Sequence, residues 1–392
     1  MARYEFKQGS SAKFWQVEVV GTTCVTTYGR IGTDGRETVK QCSSVQEAQA
    51  TADKTAAGKV KKGYQLVGDE GGGANEGILG LEDENHDTYE PAQKFVFRTI
   101  YDFGGTLGHA KRGAAYRVRV EYGEDDAFLE SLRQLIDHED AAQLEALVVG
   151  NYGEGSSMGE GSEPIIEAIV SGRAKRPNLK AIYMGDIVQE ESEVSWIQWA
   201  DLAPLVFEGL EHLRVRGGGR LGGGIASGSL RSFVWQSGGL DGSVIDAVSA
   251  ANLPNLEHLE LWLGEENYGG IVDPAPLATI LSGKLFPKLS YLGLRNSAIA
   301  DQIAVMVSAS PILSEVEHLD LSMGALGDVG ARALIESPAV KQLKKLSLQH
   351  NFCSDAVKKE LKALGPVVDV RRLDAEEEED GEEVYRYISV AE

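Results

Sequence analysis

Residues 343–351 read LKKLSLQHN, and this stretch decides the predicted fold of most of the chain. Leucines stand at positions 343, 346 and 348 and an asparagine follows at 351, which gives the spacing LxxLxLxxN. Side chains of a β-strand alternate between two faces, so Leu346 and Leu348 point to one side while Lys345 and Ser347 point to the other. The stretch therefore predicts a strand with one apolar face that a second layer covers.

The LxxLxL spacing recurs seven more times upstream. Successive starts lie 35, 31, 20, 26, 33, 27 and 27 residues apart, and helix-like stretches such as 327–337 and 354–364 fill most gaps. A strand and a helix that repeat at this period predict a stack of α/β units. We therefore predict a leucine-rich-repeat α/β solenoid, a ribonuclease-inhibitor-like horseshoe, over residues 144–372, with an N-terminal cap over 94–143. The upstream triplets are Leu144-Leu147-Val149, Leu179-Ile182-Met184, Leu210-Leu213-Val215, Leu230-Phe233-Trp235, Leu256-Leu259-Leu261, Leu289-Leu292-Leu294 and Val316-Leu319-Leu321.

The residues between the leucines are predicted to line the concave face of the horseshoe. Aromatic side chains among arginines and carboxylates are typical of protein-binding surfaces, and we expect a tryptophan and a tyrosine to be exposed here. We predict that this face binds an unidentified protein partner; the alternative is a polar face without a ligand. The predicted contact residues are Arg214, Arg216, His258, Glu260, Trp262, Tyr291, Arg295, His318 and Asp320.

Three histidines, His212, His258 and His318, share one register of the predicted strands and raise the question of a metal site. Neighbours in this set lie two repeats apart, which corresponds to about 10 Å at the usual spacing between strands. A Zn–N bond is about 2 Å long, so one ion cannot bridge that gap. The sequence predicts no metal and no cofactor.

Two short strings imitate catalytic motifs. Gly217, Gly219 and Gly222 fit GxGxxG, but the next predicted strand starts at Leu230 and leaves no room for a phosphate-binding helix. Residues 155–159 spell GxSxG, yet several loop residues separate them from the preceding strand, unlike a nucleophile elbow. We predict that the protein is not an enzyme.

The segment QEESEVSWIQWAD, residues 189–201, places three glutamates ahead of two tryptophans. Paired carboxylates can perform acid–base catalysis, but no positioned nucleophile or electrophile accompanies them. We interpret the segment as an acidic, aromatic docking loop that presents Trp196 to the partner. Packing of the tryptophans into the core is the alternative, and an enzyme that uses residues 190–201 is a third hypothesis.

Residues 1–67 predict a separate small domain. Alternating apolar residues over 13–20 indicate a half-buried strand, and further strands are expected near 23–31 and 36–42. A capping-box pattern at 44–47 begins a long helix. The expected fold is a small antiparallel β-sheet that carries one helix.

This small domain resembles a WGR domain. The resemblance is carried, in order, by FW at 14–15, TTYGRIGTDGR at 26–36, SVQEAQATADK at 44–54 and KVKKGY at 59–64. In the WGR domains of poly-ADP-ribose polymerases the Trp and Arg of the name help hold a DNA strand end, and this chain has Tyr28 in place of that Trp. The resemblance implies nucleic-acid binding at DNA ends or nicks. The predicted contacts are Trp15, Tyr28, Arg30, Arg36, Lys40, Lys59, Lys61 and Lys62.

Charge is distributed unevenly along the chain. The formal net charge is −22, but residues 1–68 carry +4 and the remainder carries −26. An acidic body repels nucleic acid, while a basic head can still bind it locally. An acidic, glycine-rich linker is predicted over 68–93, and an acidic C-terminal tail is predicted over 373–392, in which the acidic run 374–383 is expected to be solvated.

The compartment follows from cysteine content and hydropathy. Three scattered cysteines are too few for a disulfide framework, so a reducing environment is expected. The N-terminal residues lack the apolar segment of a signal peptide, and no run of about 18 apolar residues is long enough to span a membrane. The sequence predicts a cytoplasmic protein.

Residues 115–392 further resemble an uncharacterised bacterial leucine-rich-repeat family, found beside or fused to WGR domains and loosely described as molybdate-regulator-like. LVVGNYGE at 147–154, LELWLGEENYGG at 259–270 and the terminal YRYISVAE carry this resemblance. No activity is established for that family. Together the two modules predict an adaptor whose head binds nucleic acid and whose solenoid binds a protein; the alternative is a purely protein–protein scaffold without nucleic-acid binding.

Overall fold

The chain divides into two compact units, residues 1–77 and 78–392, and each is described by itself. The description rests on a computed structural model. It covers residues 2–8, 11–20, 23–31, 36–41, 45–62, 64–69, 91–96, 98–105, 107, 114–121, 125–158, 161–371, 375, 377–380 and 383–391.

The first unit is an antiparallel sheet with one helix, as the sequence predicts, and it has two strands, at residues 2–8 and 65–69, beyond the three predicted segments. The strands follow the order β4-β3-β2-β1-β5. Trp15, Val17 and Cys24 on the sheet pack against Ala52 of the helix, which forms the small core. The elements are β1 Ala2–Gln8, β2 Ser11–Val20, β3 Thr23–Arg30, β4 Arg36–Gln41, α1 Val45–Val60 and β5 Gln65–Asp69.

The second unit is a mixed α/β structure built on one long sheet of twelve strands, β6–β10, β12 and β14–β19. Its strands follow one another in chain order, and all neighbours are parallel except β6 and β7. The sheet is open, with β6 and β19 at its edges. The strands of this unit are β6 Lys94–Phe95, β7 Arg98–Asp102, β8 Ala115–Val118, β9 Ala146–Gly150, β10 Ala181–Asp186, β11 Gln198–Asp201, β12 His212–Arg216, β13 Gly218–Arg220, β14 Ser232–Gln236, β15 His258–Gly264, β16 Tyr291–Ser297, β17 His318–Asp320, β18 Lys345–Ser347, β19 Val367–Asp369, β20 Glu377–Asp380 and β21 Glu383–Arg386.

From β8 onward, helices or short 3₁₀ turns connect successive strands of the long sheet, except between β12 and β14. The α-helices are α2 Asp125–Asp137, α3 Gly155–Met158, α4 Ser162–Gly172, α5 Gly242–Ser249, α6 Ala278–Leu281, α7 Ala300–Ser308, α8 Asp328–Glu336 and α9 Asp355–Lys362. The 3₁₀ turns are Glu139–Gln143, Arg173–Lys175, Ala203–Leu205, Glu266–Tyr268, Ala275–Leu277, Pro311–Ser314 and Val340–Gln342. No helix in the described part of the chain is both long and apolar enough to cross a membrane.

The leucine spacing explains the register of the long sheet. All eight predicted segments form strands, and the middle apolar residue of each lies directly beside its counterparts in the neighbouring strands. These residues point toward the helices and form one continuous core, because each strand offers an apolar face at every second position. The aligned row is Leu147, Ile182, Leu213, Phe233, Leu259, Leu292, Leu319 and Leu346.

Ion pairs join the repeats where the chain enters its strands. Lys180 Nζ lies 2.5 Å from Glu211 Oε1, and both residues immediately precede a strand of the sheet. The same positions pair Arg231 with Glu257 at 2.8 Å and Lys344 with Glu317 at 2.6 Å. We call these three pairs the entry ion pairs. Because opposite charges face each other across adjacent strands, the pairs favour this register.

Two predicted boundaries need correction. Residues 68–69, assigned to the linker, are the end of β5, and Ala92 donates its backbone N–H to Asp186 Oδ1 at 3.0 Å. The linker positions 70–90 lie outside the described residues. The predicted cap over 94–143 contributes β6, β7 and β8 to the long sheet itself.

Candidate functional site

The candidate nucleic-acid surface lies on one face of the head sheet. Tyr28 stands opposite Arg36 in the β3–β4 pair, and Arg30 stands opposite Lys13 in the β2–β3 pair. Directly opposed residues of antiparallel strands project to the same face, and residues two apart on one strand do so as well. These four residues, which we call the head surface, are exposed, Tyr28 to 41%. Lys13 was missed by sequence reasoning, although its register with Arg30 could have identified it.

Trp15 does not belong to the head surface. It stands opposite Tyr28 in the β2–β3 pair, yet it is 2% exposed and packs against Tyr4 at a ring-centroid distance of 5.6 Å. The ammonium of Lys59 lies 5.3 Å from the Trp15 ring and 5.1 Å from the Tyr64 ring. Burial lowers the pKa of Lys59. The prediction that Trp15 stacks on nucleic acid is therefore wrong, because the helix end covers the indole.

The remaining lysines of the head have different surroundings. Lys61 and Lys62 are exposed immediately after α1. Lys40 is exposed as well, and its Nζ lies 3.3 Å from Thr51 Oγ1 on the helix. Positive charge therefore flanks the head surface, while Lys59 is held against aromatic rings. Residues 32–35, which carry Gly32 and Gly35 of the TTYGRIGTDGR segment, lie outside the described residues.

The predicted partner face of the long sheet is buried. All nine residues proposed to line it are between 1% and 7% exposed. The expectation that Trp262 and Tyr291 are exposed is wrong, since their exposed fractions are 1% and 5%. Only Trp196 among the proposed partner contacts is exposed, at 59%. We call the buried set on β12–β17 the polar face.

Glu260 is the centre of a hydrogen-bonded cluster on the polar face. Arg295 donates to Glu260 Oε1 at 2.9 Å, and the Trp262 indole N–H donates to the same oxygen at 2.7 Å. The Tyr291 hydroxyl lies 3.1 Å from Glu260 Oε2 and 3.0 Å from Asp320 Oδ2. A hydroxyl carries one proton, so it donates to one of these two carboxylates at a time.

Charge pairing sets the ionisation of this cluster. Burial alone would raise the pKa of Glu260, but Arg295, the nearby His258 ring and the hydrogen bond from Trp262 hold it well below its usual range. Burial, together with Asp320 and Glu260, raises the pKa of Tyr291 well above its usual value. Glu260 is thus ionised and Tyr291 neutral, and the cluster resembles a buried ion-pair network more than an acid–base site.

The histidines of the polar face are held neutral. His258 stacks on Tyr291 with ring centroids 3.9 Å apart, and His318 Nε2 lies 2.8 Å from Ser347 Oγ. Burial is the main cause that lowers the pKa of His258, and it lowers that of His318 to about 4 and that of His212 to about 3. Among the described residues, no group of three or more His, Cys, Asp or Glu side chains could hold a metal ion.

The arginines of β12 are also engaged. Arg214 lies over the Tyr183 ring at 4.5 Å, and its Nε and a terminal N–H donate to Gln236 Oε1 at 3.3 and 3.1 Å. The backbone carbonyl of Arg216 accepts the Trp199 indole N–H at 2.8 Å. Trp199 is therefore a core residue, which confirms the packing alternative for this one of the two tryptophans.

The acidic loop at 189–201 is built into the fold. Glu191 forms an ion pair with Arg119, and its other oxygen accepts the backbone N–H of Val188 at 3.1 Å. Val194 packs with Trp262. Glu191 thus anchors the loop, and only Trp196 of the predicted docking loop presents a large exposed ring.

The imitation motifs have structural explanations. The Ser156 hydroxyl is buried within hydrogen-bond distance of Asn151 Oδ1 at 3.1 Å and the Gly153 carbonyl at 2.6 Å. Gly217 and Gly219 have φ of +110° and +151° and pass against residues of β11 and its preceding loop. A side chain at either position would collide with that neighbouring backbone, so close approach explains these glycines.

The predicted acidic tail is partly buried. Ile388 and Val390 are each 7% exposed, and Val390 joins Val194, Trp262 and Met323 in an apolar cluster. The apolar pair in the terminal ISVA was the signal that sequence reasoning missed. Residues 388–390 thus cover part of the polar face, so the end of the predicted acidic tail, residues 373–392, packs against the second unit.

Comparison with known proteins identifies the head. The profile of the WGR domain matches residues 2–71, so the first unit is a WGR domain. The uncharacterised protein YfeS of Escherichia coli strain K12 is 32% identical over 63 residues, which are 16% of this chain and 26% of YfeS. The chain thus spans about a quarter of that relative's length.

Two solved structures align with much of the chain. The crystal structure of a Bacteroides fragilis protein is 29% identical, with a TM-score of 0.63 over 95% of this chain and 96% of that one. An internalin of Listeria monocytogenes covers 65% of this chain with 14% identity, and its TM-score of 0.30 is too low to support a shared fold. The resemblance to a molybdate-regulator-like family stays a prediction.

Proposed function

We propose that the chain is a non-enzymatic, two-module adaptor whose WGR head binds nucleic acid at strand ends or nicks. The observation that carries the proposal is the head surface, where Lys13, Tyr28, Arg30 and Arg36 are exposed on one face. Aromatic rings stack on bases or sugars, and arginine and lysine neutralise phosphates. WGR domains of polymerases that hold DNA ends provide the analogy.

Charge separation between the modules supports this assignment. The basic head lies on a chain whose remainder has a net charge of −26, so cationic side chains are concentrated where the ligand would bind. Lys61 and Lys62 add positive charge after α1. Attraction would therefore be local to the head, while the acidic body would repel a nucleic acid that approached elsewhere.

For the second module we propose a leucine-rich-repeat solenoid with a horseshoe shape that binds a protein. The chain-order parallel strands, the aligned leucine row and the helices on the leucine side support the repeat assignment. The exposed Trp196 is available to a partner in the observed state. The polar face is buried, so its use in binding requires that the residues covering it move.

A purely protein–protein scaffold is the second candidate, and Tyr28 is the observation that favours it. A tyrosine ring offers less stacking area than the tryptophan that names the domain. If the head had lost its nucleic-acid ligand, relaxed selection for the indole would be expected at this position. The binding experiment below separates the two candidates.

The test measures binding of the full chain to fluorescent duplex DNA that is intact, blunt-ended or nicked, at several salt concentrations. We expect binding to the nicked or blunt-ended duplex to weaken steeply with salt, and Arg30→Ala combined with Arg36→Ala to lower the log–log salt slope by about 2. Lys288→Ala, an exposed lysine of the second unit, is the matched control and should leave the slope unchanged. Salt-insensitive or absent binding would exclude the nucleic-acid function and favour the scaffold.

Two substitutions at Tyr28 test the stacking role. Tyr28→Ala should weaken nucleic-acid binding by about 1 kcal/mol or more, and Tyr28→Trp should strengthen it, because stacking energy grows with ring area. The same titration measures both. Equal affinities for the three chains would show that the ring at this position does not contact the ligand.

A further inference from the structure

Residues 385–391, which we call the strap, continue from the end of β21, and their burial alternates from residue 385 to residue 390. Ile388 and Val390 are buried and Arg386 is half-buried, whereas Tyr385, Tyr387 and Ser389 are exposed. Burial that alternates with a period of two residues is typical of an extended strand that lies with one face against a surface. The strap therefore lies on the second unit as an extended peptide would lie in a groove.

Three consecutive repeats hold the strap through its backbone. The Tyr387 carbonyl lies 3.0 Å from His350 Nε2, and the Ser389 N–H donates to the Met323 carbonyl at 2.9 Å. The Val390 N–H donates to Asn296 Oδ1 at 3.0 Å, and Asn296 Nδ2 donates in return to the Val390 carbonyl at 2.5 Å. A carboxamide that pairs with both the N–H and the C=O of one residue matches a peptide main chain.

The three anchors share an unusual backbone conformation. Asn296, Met323 and His350 occupy the same position in three successive repeats, each five residues after the aligned residues Tyr291, His318 and Lys345, and their φ angles are +51°, +69° and +56°. Positive φ is costly for residues other than glycine and persists where surrounding contacts stabilise it. Each of these residues hydrogen-bonds the strap, so the strain is located at the groove.

The strap covers residues that were predicted to bind a partner. Val390 packs with Trp262 and Met323, and Met323 Sδ lies 3.1 Å from a terminal N–H of Arg295. Arg386 lies over the Phe352 ring at 5.5 Å. Removing the strap would uncover the Trp262 end of the polar face together with two inward-facing apolar sites and one site for a cation.

We infer that the strap is a built-in peptide ligand, and that its groove takes an extended peptide of a partner in exchange for it. The partner peptide would carry apolar side chains two positions apart, like Ile388 and Val390, with a cation two positions earlier, like Arg386. This inference rests on the protein-binding half of the proposed function. It explains why a face with the composition of a binding surface is covered in the observed state.

Because the strap belongs to the same chain as its groove, a partner peptide displaces it only under certain conditions. A segment joined to its groove by a short linker has an effective concentration on the order of millimolar. A free peptide with the same contacts competes poorly against that concentration, so the closed state prevails until a partner binds better or the strap is weakened. The groove thus binds only those partner peptides whose affinity is high enough to displace the tethered strap.

The first test uses full-length chains and a labelled peptide, YRYISVAE, which reproduces residues 385–392. Val390→Asp places a carboxylate in the apolar cluster and should release the strap, so this variant should bind the peptide about tenfold or more tightly than the wild type. Ser389→Asp, an exposed position of the same segment, is the matched control and should bind like the wild type. Adding Asn296→Ala to Val390→Asp should abolish peptide binding.

Equal binding by the wild type and Val390→Asp, with both chains folded by circular dichroism, would overturn the inference. The nucleic-acid assay reports on the head alone, so its failure leaves this result unaffected. A peptide bound equally well by the control Ser389→Asp and by Val390→Asp would also count against release of the strap.

A second measurement on the wild type guards against a variant that does not fold. Hydrogen exchange of the Ser389 and Val390 amides should be faster than exchange of the β16 amides, and excess unlabelled peptide should accelerate it. Exchange of the strap amides only at the rate of global unfolding, with no response to peptide, would show that the strap is a fixed part of the core.

Discussion

Arg30 in the head and Arg295 in the long sheet are both arginines of a β-strand, and their surroundings differ completely. Arg30 is exposed beside Tyr28, whereas Arg295 is 7% exposed and donates to Glu260 and Ser322 at 2.9 and 3.0 Å. Alternation along a strand tells which face a side chain occupies. It does not tell whether a distant segment covers that face.

The difference separates two roles for similar residues. An exposed arginine contributes little to stability and is available to a ligand. A buried arginine paired with carboxylates costs desolvation, and removal of one partner leaves an uncompensated charge. Substitutions in the head surface should therefore weaken the proposed nucleic-acid binding and leave stability nearly unchanged. Substitutions in the polar face should lower the stability of the second unit.

Removing the buried arginine gives the largest expected effect. Arg295→Ala should lower the free energy of unfolding of the second unit by about 3–5 kcal/mol, because Glu260 and Asp320 lose their cation in a buried site. Arg30→Ala should change stability by no more than about 0.5 kcal/mol. Urea unfolding followed by tryptophan fluorescence measures both. If both variants lost only about 0.5 kcal/mol of stability, this result would show that water reaches the polar face.

A pH change sharpens the same contrast at a smaller scale. Burial lowers the pKa of His318 to about 4 from an ordinary value of 6.5, so the unfolded chain binds a proton that the folded chain does not. The folded state therefore has its full stability above pH 6.5 and loses stability as the pH falls toward 4. By this linkage the histidine alone costs about 2 kcal/mol on going from pH 7.5 to 5.0.

His318→Asn provides the comparison for that titration. The variant should lose less stability than the wild type between pH 7.5 and 5.0, although it is less stable at pH 7.5 because the contact with Ser347 is disturbed. Thermal unfolding at the two pH values measures the difference. A pH dependence that is the same in both chains would place the titrating group elsewhere.

The smallest expected effect is at the entry ion pairs. The side chains of Lys344 and Glu317 are 63% and 41% exposed, so Lys344→Ala should cost no more than about 0.5 kcal/mol. A double-mutant cycle with Glu317→Ala, measured at low and high salt, isolates the pair. A coupling energy above about 1 kcal/mol would show that the entry ion pairs stabilise the sheet as strongly as buried contacts do.

The leucine spacing was sufficient to predict strands and core in the second unit. Leu259, Leu292 and Leu319 align as expected because the period of two leaves only one apolar face. The same kind of local pattern predicted β2, β3, β4 and the helix of the head but missed β1 and β5. These features depend on patterns of residues that are close together in the sequence, so they can be predicted from a single sequence.

The state of the candidate sites depended on contacts that no local pattern reveals. Trp15 is covered by Lys59, which lies 44 positions away in the sequence, and Trp262 is covered by Val390. An isolated Ile-x-Val near an acidic run does not indicate which surface it will bury. Long-range packing therefore decided exposure, while the residue types on each face were predicted correctly.

The strap also has a consequence for how the second unit comes apart. In the long sheet each strand bonds only to the strands beside it, so the array is free to unfold piece by piece, as stacked repeats do. The strap contacts Asn296, Met323 and His350, which belong to the three repeats of β16, β17 and β18. The strap therefore links three neighbouring repeats, and we expect these three repeats to unfold together as one cooperative unit.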